Sequence, residues 1–539
     1  MSAKDDSYAK GTGQIDWTIF LPAFLVIMAI TIPLASNPTL GKDIVNASLS
    51  FVTDKFGWLA VLSAAVSVGF LLWLGLSPYG RIVLGKPGEK PEFTTFSWAS
   101  MLFCAGIGSS AVIWGIAEPI FYIDGPPLGL EPRSVAAFSL AGAVPIFHWG
   151  ITGWAIYTVV TVAIAYSIYV RGYNVQRTTQ ACVPVLGKHV SGPLGKIIEI
   201  FICIATIGGY GTSLGLGVPF VATFVSKFLG IEPTVGVSAA VLVAWTAIFA
   251  VSVYFGLERG IQRLTQFNVY LAIFILLFIL VCGPTLFILD AMVNNIGQLF
   301  GNFIALSFSM EPYNLKIVAD EATGAVASVD RTGGFPQWWS VFYWFWYLEL
   351  APISALFIAR ISRGRTIREL ALGVIFYGTL GVFILMSILG AYSLYLQKTG
   401  LMDVAKVLAD TNSGVTAATV MFTLPWPNLM APLYAILALV FLATTLDSSA
   451  YALAAMCTKQ VSGYEQPTRS FRFVWAVIIG GFAIGILVTA GAEPLRTIQS
   501  SAVVLGLPTI IIWFICLISV IKYVRQDFKD RLVPKLEYK

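Results

Sequence analysis

Apolar runs long enough to cross a bilayer alternate with short polar connections from residue 17 almost to the end of the chain. A helical span needs about 20 predominantly apolar residues to cover the hydrocarbon core. Runs of that length predict helices near 17–36, 57–78, 97–122, 135–170, 194–225, 235–256, 266–290, 338–360, 369–396, 428–458, 472–491 and 500–522. The expected fold class is an all-α polytopic membrane protein with about twelve transmembrane helices. The stretch 291–337 is a long connection. Its first part, from Asn294 to Ser309, alternates apolar and polar residues at helical spacing and predicts an amphipathic helix on the membrane surface.

Composition agrees with that pattern. Only 11% of the 539 residues are charged, 57% are hydrophobic and the mean hydropathy is +0.81, where a soluble chain carries roughly a quarter charged residues. The net charge of +5 matters less than its placement. With the amino terminus inside, the inner loops hold most of the 33 Lys and Arg, including Arg171, Arg177, Arg259, Arg263, Arg360, Arg363, Arg365 and Arg368. That bias places both termini in the cytoplasm of a cell bounded by an inner membrane, and predicts an even number of spans. No cleaved signal peptide is read before Trp17. The charged tail reads as a solvated anchor or as a lipid-sensing segment. Cys104, Cys182, Cys203, Cys282, Cys457 and Cys516 show no paired spacing and are expected as buried free thiols. His148 and His189 fit no metal or triad pattern, and no Walker-type glycine loop is present, so an enzyme is not expected, nor a nucleic-acid partner.

Polar chemistry inside the apolar runs marks the candidate site. Cys104-Ala105-Gly106-Ile107-Gly108-Ser109-Ser110 places two glycines and two serines at membrane depth. This reads as a broken helix whose carbonyls and ends face sodium or a charged substrate, or as close packing through small residues. Trp149, Trp154 and Tyr157 fall at i, i+5 and i+8, within about 140° of one another on a continuous helix. Tyr343-Trp344-Phe345-Trp346-Tyr347 forms a second aromatic block, followed by Glu349 and Pro352. Several rings around one site suit a trimethylammonium group, at about 0.5–2 kcal/mol per ring. An aromatic belt or core packing is the alternative. Thr444-Thr445-Leu446-Asp447 offers oxygens to a hard cation, unless the hydroxyls bond back to their own helix. Glu118, Glu349 and Asp447 are candidates because charge is costly at that depth.

On the segments 147–157, 213–217, 333–337, 342–344 and above all 357–369, the chain resembles the betaine/choline/carnitine transporter family over nearly its whole length. The resemblance implies a LeuT-like fold of two inverted five-helix repeats preceded by two extra helices, commonly in a trimer, working by alternating access. The implied layout is a cytoplasmic segment 1–16, extra helices in 17–96, repeats in 97–290 and 338–522 around an external loop 291–337, and a tail 523–539. The family's aromatic box maps to Trp149, Trp154, Tyr157 and Tyr347, with Trp346 beside it and Leu350 at a further tryptophan position. Gly106 and Gly108 border the same site. Sodium, as coupling ion and not cofactor, would be held by the carbonyls of Cys104 and Ile107 with Phe441, Thr444 and Thr445. A second sodium site would use Thr206, but Tyr210 and Ile353 depart from its pattern. The sodium-independent exchangers carry an arginine where this chain has Asn268, which favours sodium symport. Substrate:product exchange and a non-transporting ligand sensor are the alternatives. Glu349 stands where glycine betaine symporters have a small polar residue, and is expected to meet an additional positive charge or to titrate.

Overall fold

The computed structural model describes residues 13–532 except 87, 108–109, 174, 233, 256–261, 320–325, 332, 460, 462–464 and 491–492. The described elements are helical apart from short 3₁₀ turns and one antiparallel hairpin, β1 (Leu315–Ala319) and β2 (Val326–Arg331). Eight described helices are long and apolar enough to cross a membrane, or nine if the bent pair Val183–Ser191 and Pro193–Gly209 is one span.

Local sequence sets most boundaries. Helix α1 (Trp17–Ser36) starts where the Asp16 carboxylate accepts the Thr18 amide at 3.2 Å. Asn37 then ends α1 and caps α2 (Pro38–Leu76), whose first residue is a proline preset for that position. The run 97–122 appears as α3 (Thr95–Ile107) and α4 (Ser110–Asp124), with the expected break falling at residues 108–109, outside the described ones.

The run 135–170 is likewise divided, into α5 (Val135–Ala141), α6 (Val144–Trp149) and α7 (Ile151–Tyr169). Short turns α8 (Thr178–Ala181) and α9 (Val183–Leu186) lead to α10 (Pro193–Leu229), which ends on a left-handed glycine, Gly230. Next come α11 (Val235–Phe255), α12 (Gln262–Cys282) and α13 (Thr285–Phe308). The seventh span therefore closes at Cys282, eight residues earlier than the apolar run suggests, because Gly283-Pro284 interrupts it.

After the hairpin, α14 (Phe335–Trp338) and α15 (Ser340–Ile361) precede α16 (Ile367–Thr399). Helix α16 opens on a reciprocal Thr366–Glu369 capping box. Helices α17 (Val404–Asp410) and α18 (Ser413–Met421) lead to α19 (Pro427–Met456), α20 (Arg469–Ala490) and α21 (Glu493–Leu532).

Helices α7 and α15 are apolar around their whole circumference and buried along nearly all their length, so they form the centre. Helices α11 and α12 expose most of their surface and lie at the periphery. Five cysteines are buried thiols as expected, with Cys203 near Cys457 (3.7 Å) and Cys182 near Cys516 (3.8 Å); Cys282 is exposed instead, at the end of α12.

Helix α13 is amphipathic, but its polar face is not solvated. Asn294 donates to the Ser139 carbonyl at 2.8 Å, Gln298 to the Ser139 hydroxyl and Asn295 to the Ser387 hydroxyl, joining α13 to α5 and α16. Its exposed side is the apolar stripe Leu286, Leu289, Val293, Ile296, Phe300 and Ile304.

The segment 357–369 is an anchor for the loop before α3. Backbone bonds tie Leu84 to Arg365, Gly364 to Leu84 and Ile367 to Ile82, at 2.7–2.9 Å. Arg360 grips Glu92 through both terminal nitrogens, at 2.7 and 3.2 Å. Arg363 leans on Glu89 and Glu92, and Arg365 lies 4.2 Å over the Trp98 ring. Gly364 adopts φ +80°, and a Cβ there would sit 2.3 Å from the Lys90 carbonyl. Gly364→Ala should therefore cost about 2–4 kcal/mol, from left-handed strain and overpacking together. Thermal unfolding of the purified variant in detergent checks this, and an unchanged midpoint refutes it.

Candidate functional site

The site forms where α6 and α7 meet α15. Gly150 (φ −94°, ψ −127°) separates the two short helices, so Trp149 closes one and Trp154 belongs to the other. The break therefore resets the helical phase between the two tryptophans.

Trp149 packs edge to face on Trp346 (5.5 Å between centroids), Tyr343 (5.4 Å) and Tyr347 (6.4 Å). Tyr157 meets Tyr347 at 5.0 Å, and Trp154 meets Tyr157 at 6.1 Å. Trp346 and Tyr347 lie 5.9 Å apart. The four rings predicted as a box and Trp346 beside them thus belong to one continuous, buried cluster, with Tyr343 as a sixth ring. Three donors in it, Trp154 Nε1, Trp346 Nε1 and Tyr347 Oη, have no hydrogen-bond partner in the described structure.

Missing side chains make room for the rings. A Cβ at Gly106 would lie 2.4 Å from the Trp154 ring on one side, and a Cβ at Gly378 of α16 would lie 2.4 Å from it on another. Tyr347 presses equally closely on Gly153, 2.5 Å from where a Cβ would be. Gly106 thus borders the site as expected; Gly108 lies outside the described residues. The roles of Gly153 and Gly378 had no sequence signal beyond a small residue in an apolar run.

Glu349 and Leu350 follow Trp346 and Tyr347 one turn further along α15. Both pack on the backbone of Gly209 in α10, with Glu349 Oε2 2.7 Å and Leu350 Cδ2 2.5 Å from a Cβ built there. Glu349 is buried, and neither of its oxygens has a partner of ordinary hydrogen-bond geometry. It lies one helical turn beyond Trp346 on α15.

Glu118 of α4 is drawn into the centre. Its Oε2 accepts from Trp149 Nε1 at 2.8 Å and from the Tyr343 hydroxyl at 3.1 Å. Its Oε1 accepts from the Tyr122 hydroxyl and faces His148 Nδ1 at 3.1 Å. His148 Nε2 in turn pairs with the Ser340 hydroxyl at 3.0 Å. Burial cost alone singled out Glu118 in the sequence. Its partners stand up to 225 residues away, and no spacing rule connects them.

The proposed ion ligands converge in part across α3 and α19. Thr445 Oγ1 donates to the Cys104 carbonyl at 3.0 Å and lies 3.0 Å from the Phe441 carbonyl, which Thr444 Oγ1 approaches to 2.8 Å. The two threonine hydroxyls also bond back within their own helix, as the simpler alternative has it. Ile107 is the last helical residue of α3. Asp447 points away from this group to Ser252 of α11, while Ser448 and Ser449 bond to the Thr445 carbonyl. Thr206 bonds back to Ile202 within α10, and Ile353 is buried on α15. Asn268 approaches the Cys104 sulfur at 4.0 Å.

Comparison with known proteins gives a consistent result. The profile of the betaine/carnitine/choline family of transporters (BCCT) matches residues 18–529. The glycine betaine transporter OpuD of Bacillus subtilis (strain 168) is similar at 33% identity over 512 residues, covering 94% of this chain and 95% of its own. Among solved structures, a Na+-coupled sialic acid symporter in a substrate-bound outward-open state aligns with 80% of this chain and 81% of its own, at 10% identity and a TM-score of 0.42, too low to argue from.

Proposed function

We propose that this chain, which belongs to the betaine/carnitine/choline family of transporters and so is a multi-pass membrane transporter and not an enzyme, carries a quaternary ammonium or related onium solute across the membrane together with sodium. The buried cluster of Trp149, Trp154, Tyr157, Trp346 and Tyr347 is the observation that carries this reading. An onium cation has no N–H to satisfy, and ring faces attract it at about 0.5–2 kcal/mol each. The unpartnered donors of Trp154, Trp346 and Tyr347 suit the oxygens of a betaine tail. Glycine betaine is therefore the first solute to try, with choline and carnitine beside it. A thermal-shift panel of these compounds, in sodium and in potassium, tests the reading, because a ligand of the folded state raises its apparent stability. No shift with any of them would refute it.

Sodium coupling rests on the carbonyls of Cys104 and Phe441 with the hydroxyls of Thr444 and Thr445, oxygens suited to a hard cation. The carbonyl of Ile107 would complete the set. A second ion at Thr206 has less support, since that hydroxyl is engaged within its helix. Thr445→Ala should raise the sodium concentration for half-maximal uptake about tenfold, the loss of one such contact; an unaltered sodium dependence would exclude Thr445 as a ligand. Exchange is the rival: counterflow at full rate in sodium-free proteoliposomes would replace symport by exchange. A ligand sensor would bind and accumulate nothing.

On this reading the helices form two inverted repeats of five after two extra ones, with both termini in the cytoplasm, in the inner membrane. A homotrimer belongs to this reading, in which the outward apolar stripe of α13 would meet lipid or a neighbouring subunit. Glu349 would meet an additional positive charge on the solute or take up a proton during transport. Glu349→Gln should accordingly alter substrate range or the pH dependence of uptake, and a variant identical to the parent in both would end that idea.

A further inference from the structure

Glu118 is a carboxylate at the centre of a transporter whose nearest described partners carry no positive charge. The groups that face it are Tyr122 on its own helix, His148 and Trp149 on α6, and Tyr343 on α15. Neither lysine nor arginine is among these contacts. With Nδ1–H shared between Glu118 and the Tyr122 oxygen, which lies 2.9 Å away, and Nε2 accepting from Ser340, His148 is accommodated as a neutral ring. Four donors then saturate the two carboxylate oxygens, the arrangement that lets an anion persist in a dry interior. The side chain is fully buried, so this charge is poorly screened.

Two of the four donors are themselves rings of the cluster. A ring that donates its N–H or O–H to an anion becomes richer in electrons, and the face of an electron-rich ring attracts a cation more strongly. The bonds also fix the planes of Trp149 and Tyr343. We propose that Glu118 is a positioning residue and the buried counter-charge of the onium site, acting through the Trp149 indole and the Tyr343 phenol without touching the solute. It would thereby set the preference for a cationic head group over a neutral one of the same shape. This rests on the reading of the cluster as an onium site.

The test compares glycine betaine with its neutral-headed isostere 3,3-dimethylbutanoate, and choline with 3,3-dimethyl-1-butanol. Binding is measured by calorimetry on the full-length protein in nanodiscs with sodium present. In Glu118→Gln, the preference for the cationic over the neutral-headed member of the effective pair should fall roughly 30-fold, as expected for one unit charge about 8 Å away at an effective dielectric near 20, because the tail common to both members cancels. Affinity for 3,3-dimethyl-1-butanol, which carries no charge, should change less than about threefold. Equal losses for both members would show a merely structural role and overturn the proposal, as would no loss at all. If the parent binds no onium compound, the functional reading itself fails, a distinct outcome seen before any variant is made. Should Glu118→Gln not fold, Glu118→Asp keeps the charge while loosening the hydrogen bonds. Its cation-over-neutral preference should persist, and disappearance of that preference would overturn the proposal.

Discussion

Gly378→Ala should lower uptake about 10- to 100-fold, although it adds one methyl group to a helix remote from the ring cluster in sequence. The added carbon would lie 2.4 Å from Trp154 Cε2, with Cδ2 and Nε1 scarcely farther. The indole cannot retreat, because Gly106 of α3 already abuts its other ring at the same distance. It has to tilt out of its place, which disturbs the contact with Tyr157 and, beyond it, Tyr347. Overpacking of this kind costs about 1–3 kcal/mol, and here it falls on the geometry of the cluster. Alanine is otherwise a better helix residue than glycine, so the fold itself should be spared. Uptake normalised to the amount of folded protein is the measurement. Shrinking the ring with Trp154→Phe in the same chain should restore part of the loss, a non-additivity expected only of residues in contact. Normal uptake by the single variant would mean that Trp154 is not held between these two glycines during transport.

The second large effect concerns stability. Arg360→Ala should destabilise the protein by about 3 kcal/mol or more, since removing one partner of a buried ion pair strands the other. The Arg360 side chain is 3% exposed and that of Glu92 14%. Arg363 would remain beside Glu92, with its Nε at 3.3 Å. Lysine at 360 should recover less than half of the loss, because an ammonium cannot match the two parallel bonds of a guanidinium. Thermal unfolding of both variants decides this, and a melting point within about 2 °C of the parent for Arg360→Ala would contradict it.

Much of this architecture could be read from the chain because lipid demands it. Each span must satisfy its own backbone, so long apolar runs become helices, and nearly all the predicted runs do. Some boundaries shift where Gly or Pro interrupts an apolar run, as at Gly150 and at Gly283-Pro284; others shift because a polar flank continues the helix, as in α2, which starts at Pro38 and not near 57. The aromatic residues announced themselves by type and density. Their arrangement did not, since the break at Gly150 resets the helical phase between Trp149 and Trp154. Glu349 was expected at the cluster because it follows Trp346 and Tyr347 closely. A step of three residues keeps it on nearly the same helix face, one turn beyond Trp346, where it also packs on Gly209 of α10. Glu118 shows another limit. Its cost of burial was legible, whereas the four groups that offset it come together only in the folded bundle.

The close contact between Tyr347 and Gly153 has a bearing on descent as well as on energy. A lineage can acquire a side chain at position 153 only after position 347 has given up a ring of this size, and the reverse order leaves a misfitting intermediate. The two codons are therefore tied, and substitutions at them should appear together or in that sequence when homologous chains are aligned.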